Sequence, residues 1–141
     1  MAVLVFVTLA VLSVIAGLHL LWALAIWFPG GDEAQLARRV TGFAGATRMP
    51  PKPASLFVAV ALIVACHILM VGAGRAGPIL PAGLYDLALW VLVAVFCGRG
   101  LAAWTAPWRR LTPEEPFATL DRRYFGPLCL AIGVVFLSVA I

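Results

Sequence analysis

The chain has 141 residues, of which 64% are hydrophobic, and its mean hydropathy is +1.07. A soluble domain is typically about 45–50% apolar, so this composition excludes an ordinary soluble globular protein. The net charge is +4, but the basic residues flank apolar runs, where membrane topology and lipid headgroups explain them. We therefore expect no nucleic acid among the partners.

Four apolar runs dominate the sequence, at residues 2–28, 54–73, 80–104 and 124–141. Each is close to the roughly 20 residues that a helix needs to cross the hydrocarbon core of a bilayer. Segments in lipid must satisfy their own backbone hydrogen bonds, so these runs must be helices. The sequence predicts an all-α integral membrane protein, with residues 1–141 forming one domain, a bundle of four transmembrane helices. The first run has no basic leader and no convincing cleavage site, so we expect it to be retained.

A short helix is expected in the first connector, residues 29–53. Asp32 can cap its start, with Gln35 three residues later, and Gly42 can end it. Leu36 and Val40 lie four apart on one face. The pattern predicts an amphipathic helix lying on the inner leaflet.

Basic residues indicate the orientation of the bundle. The first and third connectors together carry eight Lys and Arg, whereas the second carries only Arg75. Short loops rich in Lys and Arg stay in the cytoplasm. The first and third connectors should therefore be cytoplasmic, which puts both termini on the non-cytoplasmic side of the membrane. In the third connector, Pro113 and Pro116 prevent one continuous helix.

Small residues four apart let helices approach closely in membranes. Such pairs occur as Ser13 with Gly17, Ala61 with Ala65, and Ala94 with Gly98. Chance in an Ala-rich chain explains them equally well.

Ionisable residues inside a span usually face the bundle interior or water, because facing lipid costs roughly 2.5–3.5 kcal/mol. At the depth of the cytoplasmic half, three spans contribute polar or aromatic residues that we predict to meet in one pocket: His19, Trp22, Arg99, Asp121 and Tyr124. In this interpretation Arg99 anchors an anionic or polar headgroup and His19 is the catalytic candidate, as a proton carrier. Trp22, Asp121 and Tyr124 complete the ligand-binding set.

A structural interpretation of the same residues stays open. Arg99 and Asp121 can form an ion pair while His19 bonds to a backbone carbonyl, which would hold the helices in register. In that case we expect Asp121 to lie near water, so that loss of Arg99 would cost roughly 1 kcal/mol or less.

Other polar residues give weaker signals. Cys66, His67 and Met70 on the second span could bind Cu(I), yet no second set of soft ligands is evident. A haem held by His19 and His67 would require ligands at roughly 8–9 Å different depth. We therefore predict neither a metal site nor a cofactor. Asp86 is expected at the outer interface or at the helix start.

Three stretches together resemble the bacterial four-helix membrane family DUF3995, which is defined by sequence and has no assigned function. They are His19 with Trp22 in the first span, residues 91–99, and residues 117–130, of which the last is the most specific. The resemblance covers nearly the whole chain. It implies four spans in a bacterial inner membrane and marks His19, Trp22, Arg99, Asp121 and Tyr124 as characteristic. The family continues its arginine with an acidic residue, whereas here Leu101, Ala102 and Ala103 follow.

Two main functions are compatible with the sequence. In the first, the protein binds a membrane lipid or amphipathic small molecule in a cytoplasmic-side polar pocket, with acid–base chemistry as an extension. In the second, it is a non-catalytic accessory subunit or assembly factor with a membrane protein partner, and its polar cluster is structural. A haem or copper carrier is a third alternative.

Overall fold

The fold is entirely helical, as the apolar runs predict. A computed structural model describes all 141 residues and contains seven α-helices with no strand. These are α1 (Ala2–Ala23), α2 (Glu33–Val40), α3 (Lys52–Gly72), α4 (Ala82–Ala102), α5 (Ala106–Leu111), α6 (Phe117–Leu120) and α7 (Gly126–Ala140). A π-helical turn, Asp121–Phe125, joins α6 to α7. Four segments are long and apolar enough to cross a membrane: Ala2–Ala23, Lys52–Gly72, Ala82–Ala102 and Phe117–Ala140.

The first span ends earlier than the apolar run. Helix α1 stops at Ala23 because the chain turns at Ala25, whose φ is +60°. The amide of Ile26 donates to the Leu21 carbonyl and that of Ala25 to the Trp22 carbonyl, which is the Schellman pattern. The indole of Trp22 then donates to the Phe28 carbonyl at 2.8 Å, so residues 24–28 fold back against the helix end.

The fourth span begins earlier than predicted. Its helix starts at Phe117, seven residues before the expected limit, and passes through the π turn. The charged residues at 121–123 led the sequence analysis to place the helix start after them. Helical structure continues through them because Asp121 is neutralised by ion pairs within the protein.

The helices pack most closely in two pairs, α1 with α3 and α4 with α7, while α3 and α4 contact each other less. One buried cluster draws on all four spans, including Leu12, Leu69, Leu89 and Phe136. These residues lie in the half of the bundle away from α2, α5 and α6. We call the end that carries those three short helices the cap end, and the other the opposite end.

Only one of the predicted small residues lies at a buried contact. Ala65 is buried, whereas Gly17 and Gly98 have open space where a side chain would be. The α4–α7 seam instead uses Gly100 and Gly126. A Cβ at Gly100 would lie 2.6 Å from Leu130 Cγ and 2.9 Å from the Gly126 carbonyl oxygen. The spacing of small residues did not identify this seam, because spacing alone does not say which helix face meets a neighbour.

Helix α2 forms as predicted, with Asp32 Oδ1 accepting from the Gln35 amide at 2.8 Å and Gly42 following its end at φ +71°. Its apolar face packs against protein: Leu36 is 1% exposed and belongs to a cluster with Trp22 and Met49. The leaflet-facing helix expected from the sequence therefore turns its apolar side toward the bundle.

The first and third connectors are also joined by hydrogen bonds at the cap end. Glu114 accepts from the Gly45 amide at 3.0 Å and its own amide donates to the Gly42 carbonyl. The buried ring of Phe117 lies against Gly42, where any side chain would collide with it.

Candidate functional site

The carboxylate of Asp121 is the centre of the polar network at the cap end. It stands at the start of the π turn and is 0% exposed. Its Oδ1 accepts from Arg99 at 2.6 Å, and its Oδ2 accepts from Trp108 Nε1 at 2.8 Å and from Arg109 at 2.7 Å. We call these four residues the Asp121 cluster. Both carboxylate oxygens are used within the protein.

The two arginines tie the cluster to separate elements. Arg99, near the end of α4, lies 4.8 Å from the centre of the Trp108 ring, at cation–π distance. Arg109, on α5, also donates to the Ala118 carbonyl at 2.9 Å and to the Thr112 hydroxyl at 3.1 Å. The cluster therefore joins α4, α5 and α6 through charge-assisted hydrogen bonds.

The expectation that Asp121 lies near water is wrong. The carboxylate is fully buried, and two arginines offset its desolvation instead of bulk solvent. The cluster carries one positive charge in excess, yet Arg99 Nη1 and Arg109 Nε are themselves buried without partners. The side chains of Arg99 and Arg109 are 31% and 20% exposed, but the exposed arginines already bind the Asp121 carboxylate.

His19 lies at a different place, in a cavity between α1, the segment after α2, and the start of α3. This His19 cavity has a volume of about 140 Å³. Its lining is His19, Trp22, Val40, Thr41, Met49, Pro50, Ala54, Ser55 and Val58. None of these side chains is acidic, and most of the lining is apolar.

The polar groups of the His19 cavity are few. His19 Nδ1 lies 2.9 Å from the Ile15 carbonyl oxygen, one turn back on its own helix. The His19 and Trp22 rings are 4.6 Å apart. Ser55, 5% exposed, makes no side-chain hydrogen bond to the protein, and Thr41 donates its hydroxyl proton to the Ala37 carbonyl. Among the side-chain nitrogen and oxygen atoms, only His19 Nε2, Ser55 Oγ and the Thr41 lone pairs remain for a ligand.

The structure therefore separates the residues that the sequence placed in one pocket. Arg99 and Asp121 meet as predicted, but they do not line the His19 cavity, and no hydrogen bond joins the two sites. Tyr124 is 54% exposed and contacts Arg123 by a cation–π pair at 5.6 Å. The π turn accounts for this, because it changes the face on which residues three apart fall.

His67 and the remaining polar residues lie elsewhere. His67 Nε2 lies 2.9 Å from the Tyr85 hydroxyl, which also accepts from the Ile79 amide, at an apolar cavity of about 340 Å³ between α3 and α4. The cavities of the two histidines share no lining residue, so the structure does not bring His19 and His67 together.

The remaining polar residues form no further site. Asp86 is exposed without capping α4, and all three cysteines are free. No three His, Cys, Asp or Glu residues cluster as metal ligands.

Trp108, Arg109 and Ser55 belong to these two sites but were not predicted from the sequence. Arg109 and Trp108 lie in a connector, where basic and aromatic residues are ordinary at a membrane interface. Asp121 itself could have indicated these partners. A carboxylate beside a membrane span needs several hydrogen-bond donors from the protein, more than Arg99 alone supplies. Ser55 gave no signal, since a hydroxyl in a helix usually bonds to its own backbone.

The four apolar helices define a small multi-pass membrane protein. The chain belongs to the family DUF3995, a protein family of unknown function, which matches residues 12–136. Comparisons with curated proteins and with solved structures found no match.

Proposed function

We propose that the protein binds the polar end of a membrane lipid or other amphipathic small molecule in the His19 cavity. The observation that carries this proposal is the cavity itself, which combines an apolar lining with unpaired polar atoms on His19 and Ser55. Binding sites for small molecules typically have this composition.

The size of the cavity fits part of a ligand. An apolar cavity of about 150 Å³ holds a molecule such as benzene, so about 140 Å³ accommodates a small polar group with its first carbons. The rest of the molecule would lie in the bilayer beside α1 and α3. Arg48 and Lys52, both exposed and within two positions of lining residues, would favour an anionic group nearby.

In this proposal the two sites have different roles. His19 and Trp22 contact the ligand, and His19 is the side chain able to accept a proton from it. Arg99 and Asp121 hold the cap end together instead of anchoring a headgroup, and Tyr124 faces outward. With the basic connectors in the cytoplasm, the cavity would open toward the inner leaflet of a bacterial inner membrane.

Filling the cavity tests the proposal. Val58→Trp would place an indole in the cavity, whereas Leu56→Trp changes an exposed residue of the same helix that does not line the His19 cavity. Native mass spectrometry of the purified proteins should show a co-purified amphiphile on wild type and Leu56→Trp and its loss from Val58→Trp. Equal retention by both variants would remove the His19 cavity from the proposal.

A second candidate function is a non-catalytic accessory subunit, with a membrane protein partner. It is favoured by the Asp121 cluster, whose carboxylate oxygens are all used internally, as expected of a structural element. Co-purification with one protein at fixed stoichiometry, unchanged by Val58→Trp, would support this function over lipid binding.

A further inference from the structure

Resting on the proposed function, the geometry points to the chemical class of the ligand: we infer that the His19 cavity binds a hydroxyl group, supplied by an alcohol-bearing lipid. The hydrogen-bonding capacity that each lining residue has left determines which ligand groups fit. Because the cavity is small and mostly apolar, an unmatched polar atom on either side would cost binding free energy.

The tautomer of His19 follows from its neighbour. The Ile15 carbonyl oxygen, 2.9 Å from Nδ1, can only accept a hydrogen bond, so Nδ1 carries the proton. In the neutral imidazole, Nε2 is then an acceptor, and no group of the protein donates to it. None of the lining residues is a carboxylate that would stabilise a second ring proton.

The donors around the cavity are nearly all used. Trp22 Nε1 donates to Phe28, the Thr41 hydroxyl to Ala37, and the Met49 amide to Glu33. The amides of Ala54 and Ser55 both donate to the Pro51 carbonyl. The side chains of the cavity therefore offer acceptors at His19 and Thr41 and a single free donor, the hydroxyl of Ser55.

A hydroxyl group matches this set. It can donate to His19 Nε2 and accept from Ser55 Oγ, so both unpaired side chains are satisfied at once. A carboxylate or a phosphodiester has acceptors only and would leave Nε2 unpaired. The free alcohol of a diacylglycerol and the terminal glycerol of phosphatidylglycerol both carry the required group, and they differ in charge.

The test uses two pairs of short-chain probes. One pair is 1,2-dioctanoylglycerol and its 3-deoxy-3-fluoro analogue; the other is dioctanoylphosphatidylglycerol and its analogue with fluorine in place of both headgroup hydroxyls. Fluorine keeps the size of the group and removes the proton that His19 accepts. Dissociation constants are measured in detergent micelles for wild type, His19→Leu and the control His67→Leu. His67 lines the separate cavity between α3 and α4.

Wild type and His67→Leu should bind the alcohol about tenfold more tightly than the fluoro analogue in at least one pair, as expected for an unpaired buried acceptor. His19→Leu should bind the two members of that pair within about twofold. The pair that discriminates tells a neutral lipid from an anionic one.

Failure of this inference can be told apart from failure of the proposed function. Equal affinity of wild type for alcohol and fluoro analogue in both pairs would overturn the inference and leave the proposed function standing. No binding of any probe would overturn both. If His19→Leu does not fold, Ser55→Ala replaces it, and the inference requires that this variant lose affinity for the alcohol more than for its analogue.

Discussion

At the scale of single residues, the burial of Asp121 decides what the polar cluster does. A carboxylate without solvent contact depends on its partners, and here three donors from α4 and α5 surround it. Removing one member of a buried ion pair typically costs about 3–5 kcal/mol, because the remaining charge stays desolvated. We therefore interpret the Asp121 cluster as a structural element that stabilises the packing of α4, α5 and the π turn.

Asp121→Asn should be among the most damaging single substitutions in the chain. It preserves the shape of the side chain but leaves Arg99 and Arg109 without a counter-charge, so we expect a loss of about 3–5 kcal/mol. The measurement is the free energy of unfolding by SDS in mixed micelles. A variant as stable as wild type would show that the carboxylate is dispensable.

Replacing one arginine should cost less. Arg99→Leu removes one charge-assisted hydrogen bond while Arg109 and Trp108 continue to bind Asp121, so the same assay should show a loss of about 2 kcal/mol. Arg110→Leu is the matched control, because Arg110 is exposed and neighbours Arg109, and it should not change stability measurably. An unaffected Arg99→Leu variant would restore the earlier view that Asp121 can be hydrated.

A substitution at Ala25 is predicted to raise the stability of the protein, unlike the substitutions above. Ala25 holds the left-handed position of the turn after α1, at φ +60°, where glycine is preferred. Ala25→Gly should stabilise the protein by about 0.5–1 kcal/mol, because relief of the steric cost outweighs the added chain entropy. Ala23→Gly, within the helix, should destabilise it by a similar amount. Thermal unfolding followed by tryptophan fluorescence compares the two, and the same sign for both would contradict the turn geometry.

At the scale of elements, the α4–α7 seam depends on close backbone approach. A Cβ at Gly100 would press on Leu130 and on the Gly126 backbone, whereas one at Gly98, two residues away, would meet nothing within 4 Å. Gly100→Ala should therefore cost about 1–3 kcal/mol, and Gly98→Ala should be neutral or slightly stabilising. SDS unfolding of the two variants is the test, with equal stabilities as the contrary result.

The separation of His19 from Arg99 shows what the sequence could predict about these elements. The length of each apolar run gave the depth of every ionisable residue, and the insertion cost predicted that Arg99 would find Asp121. Depth does not give the direction in which a helix face points. Because α1 pairs with α3 while α4 pairs with α7, His19 and Arg99 belong to different contacts at similar depth.

The end of α1 and the π turn could not be predicted from the sequence, for a related reason. A left-handed alanine and a π turn are both rare, so neither is expected from residue type. The first shortened a helix that the apolar run predicted to be longer, and the second turned Tyr124 away from Asp121. In contrast, the start of α2 at Asp32 was predictable, because a local capping bond determines it.

At the scale of the whole molecule, charge is strongly asymmetric. Nine of the ten Lys and Arg and five of the six Asp and Glu lie at the cap end, for a net charge of +4, whereas Arg75 and Asp86 balance at the opposite end. The positive-inside rule then predicts a cytoplasmic cap end. Alkaline phosphatase fused after Ile141 should be active and a fluorescent protein fused there dark; the reverse pattern would invert the orientation.

The number of spans and the helical class followed from composition and length, because the bilayer sets both. The sites did not follow in the same way, since a cavity depends on which side chains surround it. Ser55 and Met49 became candidates only when α2 and α3 were seen to enclose His19.

The central claim, that the His19 cavity and not the Asp121 cluster receives the ligand, is tested most directly by photoaffinity mapping. The lipid of the discriminating pair, diacylglycerol or phosphatidylglycerol, is given a diazirine beside its hydroxyl and cross-linked to the wild-type protein, and the labelled residues are identified by mass spectrometry. We predict that labelling displaced by an excess of the same dioctanoyl lipid without the diazirine falls on residues 19–22, 40–41 and 49–58. Displaceable labelling concentrated on residues 99–124 would contradict the account.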